Sequence, residues 1–221
     1  MLQPGFGKPA YFDLDGTIAD SAHGIVASLE NALASCGIPS SEVDWPRFIG
    51  PPLPRMLEAA LPGLTQSQRD AVIAGYRQHY ATTGLFETAF FPGVERLLRR
   101  LTDDGWRMYI VTNKPQTAAE AIVAHLNLKP FVRCVVGGDP SGHDTKPDRA
   151  AAFVKAEGLA GGVFVGDGLD DLHAAERIGA RFFLASWGYG TARVLSERPD
   201  VLVLNQPDDL LGVIGSDTAT D

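Results

Sequence analysis

The sequence predicts an α/β fold: a parallel sheet with helices on both faces and a helical bundle inserted after the first strand. Three observations carry that prediction. Beyond Phe91, short apolar runs alternate with helical periodicities, which is the pattern of a covered parallel sheet. Between Ile18 and Phe90, helical patterns follow one another with no convincing strand. Polar residues collect where strands end, at Asp13-Leu14-Asp15, Thr112-Asn113-Lys114 and Gly166-Asp167. Open parallel sheets bind ligands at those ends.

Composition sets the outer limits. A chain of 221 residues holds one large domain, or a core plus a smaller insertion. With 45% hydrophobic and 21% charged residues it is globular and has ample core material. The net charge of −8 argues against a nucleic-acid or anionic membrane surface. It leaves room for a small anionic substrate, because local cations or a metal override the global sign. Cys36 and Cys134 lack metal-ligand spacing and read as small apolar core residues in a reducing compartment. Met1 to Lys8 shows no signal-like apolar run, and no stretch is long enough to span a bilayer. The expectation is a cytoplasmic protein, monomeric or weakly homodimeric.

The elements follow in order. Ala10 to Leu14, after Pro9, reads as the first strand. From Thr17 the pattern turns helical, with Thr17, Asp20 and Ser21 as candidate helix caps. Ile18, Ile25, Leu29, Ala32 and Leu33 share a face, and Gly37 closes the helix. The proline-rich Val43 to Pro54 is a stiff loop or short helix, and Arg55 to Leu61 is a helix. A further helix over Thr65 to Thr83 opens with a capping box, Thr65 and Gln68. Tyr76, Tyr80, Phe86, Phe90 and Phe91 read as packing for this helical block. Val94, Leu97, Leu98 and Leu101 form the next helical face, stopped by Asp103-Asp104-Gly105. Strands over Arg107 to Thr112, Val132 to Gly137, Val163 to Gly166, Phe182 to Ala185 and Val201 to Leu204 alternate with helices over Thr117 to Leu126, Asp148 to Glu157, Asp170 to Ile178, Thr191 to Glu197 and Asp208 to Ile214. Ser216 to Asp221 reads as a frayed tail. The division is 1–17 with 91–221 as the α/β core and 18–90 as the inserted helical domain.

The chemistry concentrates at the strand ends. Asp13 and Asp15 stand two apart, so in extended chain they face one space. Paired carboxylates repel unless a cation or shared proton relieves them. Asp167 and Asp171 add two more. Four such groups call for a hard divalent cation, and oxygen-only ligation suits Mg2+. Thr112 and Asn113 are short hydrogen-bond donors. Lys146 opens a helix, where the dipole disfavours a cation, so it has another task.

This ordered set resembles the haloacid dehalogenase superfamily over nearly the whole chain. Asp13-Leu14-Asp15-Gly16-Thr17 matches the first motif, Thr112 the second, Lys146 the third, and Gly166-Asp167 with Asp171 the fourth. Asp20-Ser21, Phe48-Ile49-Gly50-Pro51-Pro52-Leu53, Pro92-Gly93-Val94 and Trp187-Gly188-Tyr189-Gly190 look like its phosphoglycolate phosphatase-like branch. Gly168 departs from it, since that position often carries Ser or Thr. The resemblance implies a Rossmann-like core with an α-helical cap, and a Mg2+-dependent phosphatase for a small phosphorylated metabolite. It casts Asp13 as the nucleophile forming an aspartyl-phosphate and Asp15 as acid/base. It gives Mg2+ to Asp13, Asp167 and the backbone carbonyl of Asp15, with Asp171 in support. It gives the phosphoryl oxygens to Thr112 and Lys146, with Lys146 also holding Asp13.

Other residues stay open on sequence. Asn113 contacts substrate or caps its strand, and Lys114 is the weaker candidate beside it. His23 reaches the leaving group or is a solvated helix histidine; Arg47 and Arg55 recognise an anionic leaving group or are surface arginines. His79, His125, His143 and His173 read as surface or packing residues. Three competing functions remain. A phosphonate hydrolase needs a cap lysine, and residues 18–92 contain none. A sugar-phosphate mutase of the β-phosphoglucomutase type uses the same carboxylates. A catalytically silent binding protein would be expected to lack Asp13 or Asp167, and both are present.

Overall fold

In a computed structural model, residues 7–139 and 144–215 are described. His143, the residues before Gly7 and the tail from Ser216 lie outside them. The chain order is β1 (Pro9–Phe12), β2 (Ala19–Asp20), α1 (Ala22–Ser35), α2 (Leu53–Ala60), α3 (Gln66–Thr82), β3 (Ala89–Phe90), α4 (Val94–Asp103), β4 (Arg107–Pro115), α5 (Gln116–His125), β5 (Val132–Gly138), α6 (Lys146–Ala156), β6 (Val163–Gly166), α7 (Leu169–Ile178), β7 (Arg181–Ala185), α8 (Thr191–Glu197), β8 (Leu202–Leu204) and α9 (Asp209–Gly215). Six strands form one sheet in the order β5-β4-β1-β6-β7-β8, and every pairing is parallel.

Strand alternation builds two cores from one sheet. Ala10, Phe12, Met108, Ile110, Val163 and Val165 face one side, with Leu97, Ile122 and Leu210 of α4, α5 and α9. Tyr11, Tyr109, Val111, Phe164 and Leu184 face the other, with Ala150, Leu172 and Val194 of α6, α7 and α8. A period of two thus puts apolar side chains on both faces, which is why these strands read as continuous apolar runs. The chain winds outward from β1 in both directions, to β4 and β5 on one side and to β6, β7 and β8 on the other. The carboxyl end of β1 is therefore the switch point of the sheet, where a crevice opens.

The helical layer, α1 to α3, differs from expectation at its edges. Thr17 to Ser21 is not helical. The leaving and returning segments pair instead as an antiparallel ribbon, Ala19 opposite Phe90 and Asp20 opposite Ala89. Two-residue strands carry too little pattern to be read from sequence. Ser21 sits at the start of α1 but makes no side-chain capping bond. The Thr65–Gln68 capping box forms on both sides. Ile25, Leu29, Ala32 and Leu33 are buried, in a core continuous with one sheet face. Cys36 and Cys134 are exposed and unpaired, not buried as expected; Cys36 follows the last turn of α1, and Cys134 lies on the edge strand β5. Phe86, expected to pack, is 63% exposed and meets His125 edge-on. No helix among the described residues is long and apolar enough to cross a membrane.

Candidate active site

The site begins where β1 runs out. The strand itself stops at Phe12, yet the Asp13 amide still donates to the Val165 carbonyl at 2.9 Å, so the extended geometry persists to Asp13. The chain then folds sharply. The Leu14 carbonyl accepts from the Ile18 and Ala19 amides at 3.0 and 2.8 Å. Gly16 adopts φ +87°, and a Cβ there would meet Asp167 Oδ2 at 2.5 Å. Both constraints demand glycine.

Three carboxylates converge behind this turn. Oxygens of Asp13, Asp167 and Asp171 lie within 4.8 Å of one another, all buried. Lys146 sits among them, 2.8 Å from Asp13 Oδ1 and donating to Asp171 Oδ1 at 2.6 Å. Its place is set by α6, whose start is capped by the Thr145 hydroxyl accepting from the Asp148 amide. Asp171 Oδ2 accepts from the Gly168 amide at 2.9 Å, and Asp167 Oδ2 from the Gly190 amide at 2.9 Å. Burial pushes all three carboxyls upward. For Asp13 the Lys146 charge opposes it. For Asp171 the Asp13 charge reinforces it. Asp167 is raised to about 7 by burial and then by Asp13. Burial would neutralise Lys146, but Asp13 and Asp171 hold it charged.

These residues fit a hard cation. One ammonium cannot balance three buried carboxylates, and Asp13 Oδ1 receives no aligned hydrogen bond despite its nearness to Lys146. Oxygen donors of this kind suit Mg2+ or a similar ion.

Asp15 is held apart from that cluster. Lys114 Nζ donates to both of its oxygens at 3.0 Å, and the Ser21 hydroxyl donates to Oδ1 at 2.5 Å. Lys114 also sits 4.5 Å above the Tyr80 ring of α3, so it ties the sheet to the helical layer. Burial opposes its charge, but Asp15 and then Tyr80 and Tyr76 push its pKa up. On sequence Lys114 ranks below Asn113 and Ser21 is a candidate helix cap; the structure joins Lys114 and Ser21 to Asp15. A signal was available: Thr112 and Lys114 stand two apart at a strand end, as Asp13 and Asp15 do.

Thr112 is buried, and its hydroxyl accepts from the Lys114 amide at 3.1 Å. The Asn113 amide donates to Asp170 Oδ2 at 2.6 Å and to the Gly50 carbonyl at 3.1 Å. Arg149 donates to Asn113 Oδ1 at 3.1 Å. Asn113 thus bridges α7 to the loop before α2. Asp170 takes part through that bond, while Asp171 joins the carboxylate cluster.

A cavity of about 480 Å3 opens above Asp13 and Asp15, between the sheet and the helical layer. Thr112, Asn113 and Lys114 line its floor and Tyr76, Tyr80 and Met56 its walls. His23, Arg47 and Arg55 do not line it. His23 pairs with Glu87 at 2.7 Å on the surface, and Arg47 lies 3.8 Å from Asp44 with 79% of its side chain exposed. Arg55 is exposed as well. Each lies on the solvent side of its own segment, a placement that sequence periodicity does not fix in the first turn of a helix, as for His23 and Arg55, or in the short segment that holds Arg47.

Comparison with known proteins agrees with this geometry. A family model described as haloacid dehalogenase-like hydrolase matches residues 10–185. Phosphoglycolate phosphatase 1 of Pseudomonas aeruginosa is 31% identical, over 90% of this chain and 77% of its own length. A 5'-nucleotidase of the same organism is 33% identical, over 81% of this chain and 83% of its own. The crystal structure of a predicted phosphatase from Clostridium acetobutylicum superposes with a TM-score of 0.85 at 26% identity, covering 95% of this chain and 99% of that one. With the motifs, the sheet order and these relatives in agreement, the chain belongs to the haloacid dehalogenase-like hydrolase family, in its phosphoglycolate phosphatase-like branch.

Proposed function

We propose that this phosphatase hydrolyses a small phosphate monoester with Mg2+ and through an aspartyl-phosphate on Asp13. The observation that carries the reading is the convergence of Asp13, Asp167 and Asp171 around Lys146, directly below a cavity that also exposes Asp15. Asp13 attacks phosphorus and the ester P–O bond breaks. Asp15 gives its proton to the departing alkoxide, then takes one from the water that hydrolyses the aspartyl-phosphate. That second attack releases phosphate and restores Asp13. Lys146 holds Asp13 in line, and Thr112 and Lys146 bind phosphoryl oxygens. Asp13, Asp167, Asp171 and the Asp15 backbone carbonyl would hold Mg2+, which supplies positive charge against the phosphoryl group. In this reading residues 18–90 act as a cap that keeps bulk water from the reacting atoms. Asn113 serves the phosphate site indirectly, by bridging Gly50 to Asp170. The reading carries a cytoplasmic location, supported by two unpaired exposed cysteines, and a monomer or weak homodimer without nucleic-acid or membrane partners.

The test is phosphate release from a panel of monoesters, with Mg2+ and with chelator. Chelator-sensitive release, with phosphate trapped on Asp13 by acid quench, is expected. Folded, metal-loaded protein that releases nothing but isomerises hexose phosphates would replace this reading with the mutase.

A further inference from the structure

We infer that the alcohol released at this site carries an uncharged ring or apolar group, not a small carboxylate such as that of phosphoglycolate. The inference rests on the phosphatase reading above and deepens it. It comes from the cavity wall facing the catalytic carboxylates.

That wall is apolar. Ile49, Pro51 and Pro52 line it from the loop leading into α2, and Leu53 and Met56 from α2 itself. Tyr76 and Tyr80 line it from α3, stacked with ring centroids 5.5 Å apart and an interplanar angle of 15°. Proline rings and aromatic side chains at a lining favour an apolar, flat partner. The volume argues the same way. About 480 Å3 lies within the roughly 300–1,000 Å3 of pockets for drug-sized ligands. A two-carbon phosphate leaves most of that space unfilled.

Charge decides against a second anionic group on the substrate. Among the described residues the cavity has two cationic side chains, Lys114 and Arg77. Lys114 is committed to both oxygens of Asp15. Arg77 is engaged in an interaction of its own, and Asp139 adds a negative charge to the same lining. The cap segment supplies no lysine anywhere from residue 18 to 92. A carboxylate on the leaving group would thus enter a largely apolar enclosure beside Asp13 and Asp15, where both cations are already engaged, which is costly. A ring desolvates there at a gain.

The ring belongs to an aryl-alkyl alcohol or to a nucleoside, and the experiment separates them. Benzyl phosphate, nucleoside 5'-monophosphates and 2-phosphoglycolate are all alkyl esters, so leaving-group reactivity does not set the ranking. With Mg2+ present, kcat/KM for at least one ring-bearing ester is expected to exceed that for 2-phosphoglycolate tenfold or more. Benzyl phosphate in the lead points to a simple ring; a nucleotide in the lead points to a nucleoside. In Leu53→Lys, which places a cation in the wall, the preference is expected to shrink tenfold. Equal or faster turnover of 2-phosphoglycolate by the native protein overturns the inference and leaves the phosphatase reading standing. A binding measurement keeps the two apart in the other direction. If no ester is hydrolysed, calorimetric titration of Asp13→Asn still ranks them. Tighter binding of the ring esters then leaves the cavity's preference for a ring standing while the hydrolase reading falls, and equal or weaker binding removes both.

Discussion

Lys114 holds the Asp15 carboxylate by both oxygens, 3.0 Å from each, while its ammonium rests against the Tyr80 ring from the helical layer. One side chain therefore fixes the orientation of the proposed acid/base group and touches the helical layer above it. The Ser21 hydroxyl adds a third bond to the same carboxylate. A carboxyl held in this way does not rotate freely as substrate enters, and pre-set orientation is a large part of what a catalytic group contributes.

Replacing Lys114 by Met removes the clamp but keeps most of the volume. The expected result is a fall in kcat of about 10- to 100-fold, with KM changed less, because a misaligned proton donor is felt mainly in the chemical step. Stability should drop by about 3 kcal/mol, since Asp15 is left buried without its cation. Lys114→Arg should recover part of kcat. Steady-state kinetics and chemical denaturation of the three proteins check this; unchanged kcat in Lys114→Met would remove Lys114 from the positioning role.

The sheet was legible from sequence because its central strands, β1 and β6 above all, are buried on both faces and so read as unbroken apolar runs. The carboxylates were legible for a different reason: Asp13, Asp167 and Asp171 stand at fixed offsets from strand ends. What failed has physical causes. The Ala19–Asp20 and Ala89–Phe90 ribbon is too short for periodicity to register. His23, at the start of the cap, and Arg47 and Arg55, flanking its loop, are candidates by position and residue type, and the direction of a side chain on a loop or helix start is set by tertiary packing. Lys114 was underrated because its partner, Asp15, is 99 residues away in sequence.

Asp13→Asn should abolish turnover, by at least about 1,000-fold, while leaving the fold intact. The amide is nearly isosteric, so the turn at Leu14 and the bond from the Asp13 amide to Val165 survive. Loss of one negative charge also relieves the crowding at Asp167 and Asp171, so metal-free Asp13→Asn should melt no lower than the native protein. Turnover retained in a preparation sequence-verified by mass spectrometry would contradict Asp13 as nucleophile.

Gly16→Ala tests the turn. The new methyl meets both a φ of +87° and the Asp167 carboxylate, whose Oδ2 lies 2.5 Å from the built Cβ. The backbone term alone costs on the order of 1 kcal/mol, and displacement of Asp167 adds to it. Melting temperature should fall by several degrees. Mg2+ affinity measured by titration should weaken at least tenfold, because Asp167 is a proposed ligand. A variant that melts lower yet keeps native Mg2+ affinity would show that Asp167 does not hold the ion.

The last prediction concerns pH in the absence of metal. Asp167 is raised in the folded protein to about 7, from 3.8, first by burial and then by Asp13. Between those two values the folded state keeps a proton on Asp167 that the unfolded chain has released. Stability therefore falls as pH rises from about 4 to about 7, and the penalty is complete above pH 7. Asp13 and Asp171, also raised by burial, act in the same direction. In chelator, the melting temperature should decline from pH 5 to pH 7.5. Asp167→Asn should melt higher than the native protein at pH 7.5, since it removes one of three buried charges that Lys146 alone does not balance. Added Mg2+ should reverse both results. A bound cation favours the ionised carboxyls, so native stability should rise with pH, while Asp167→Asn gains little. Thermal melts of the two proteins at pH 5 and pH 7.5, with and without Mg2+, read all eight conditions. A native protein in chelator whose melting temperature is flat or rising across that interval would mean that the three carboxylates are already balanced by Lys146 and need no cation.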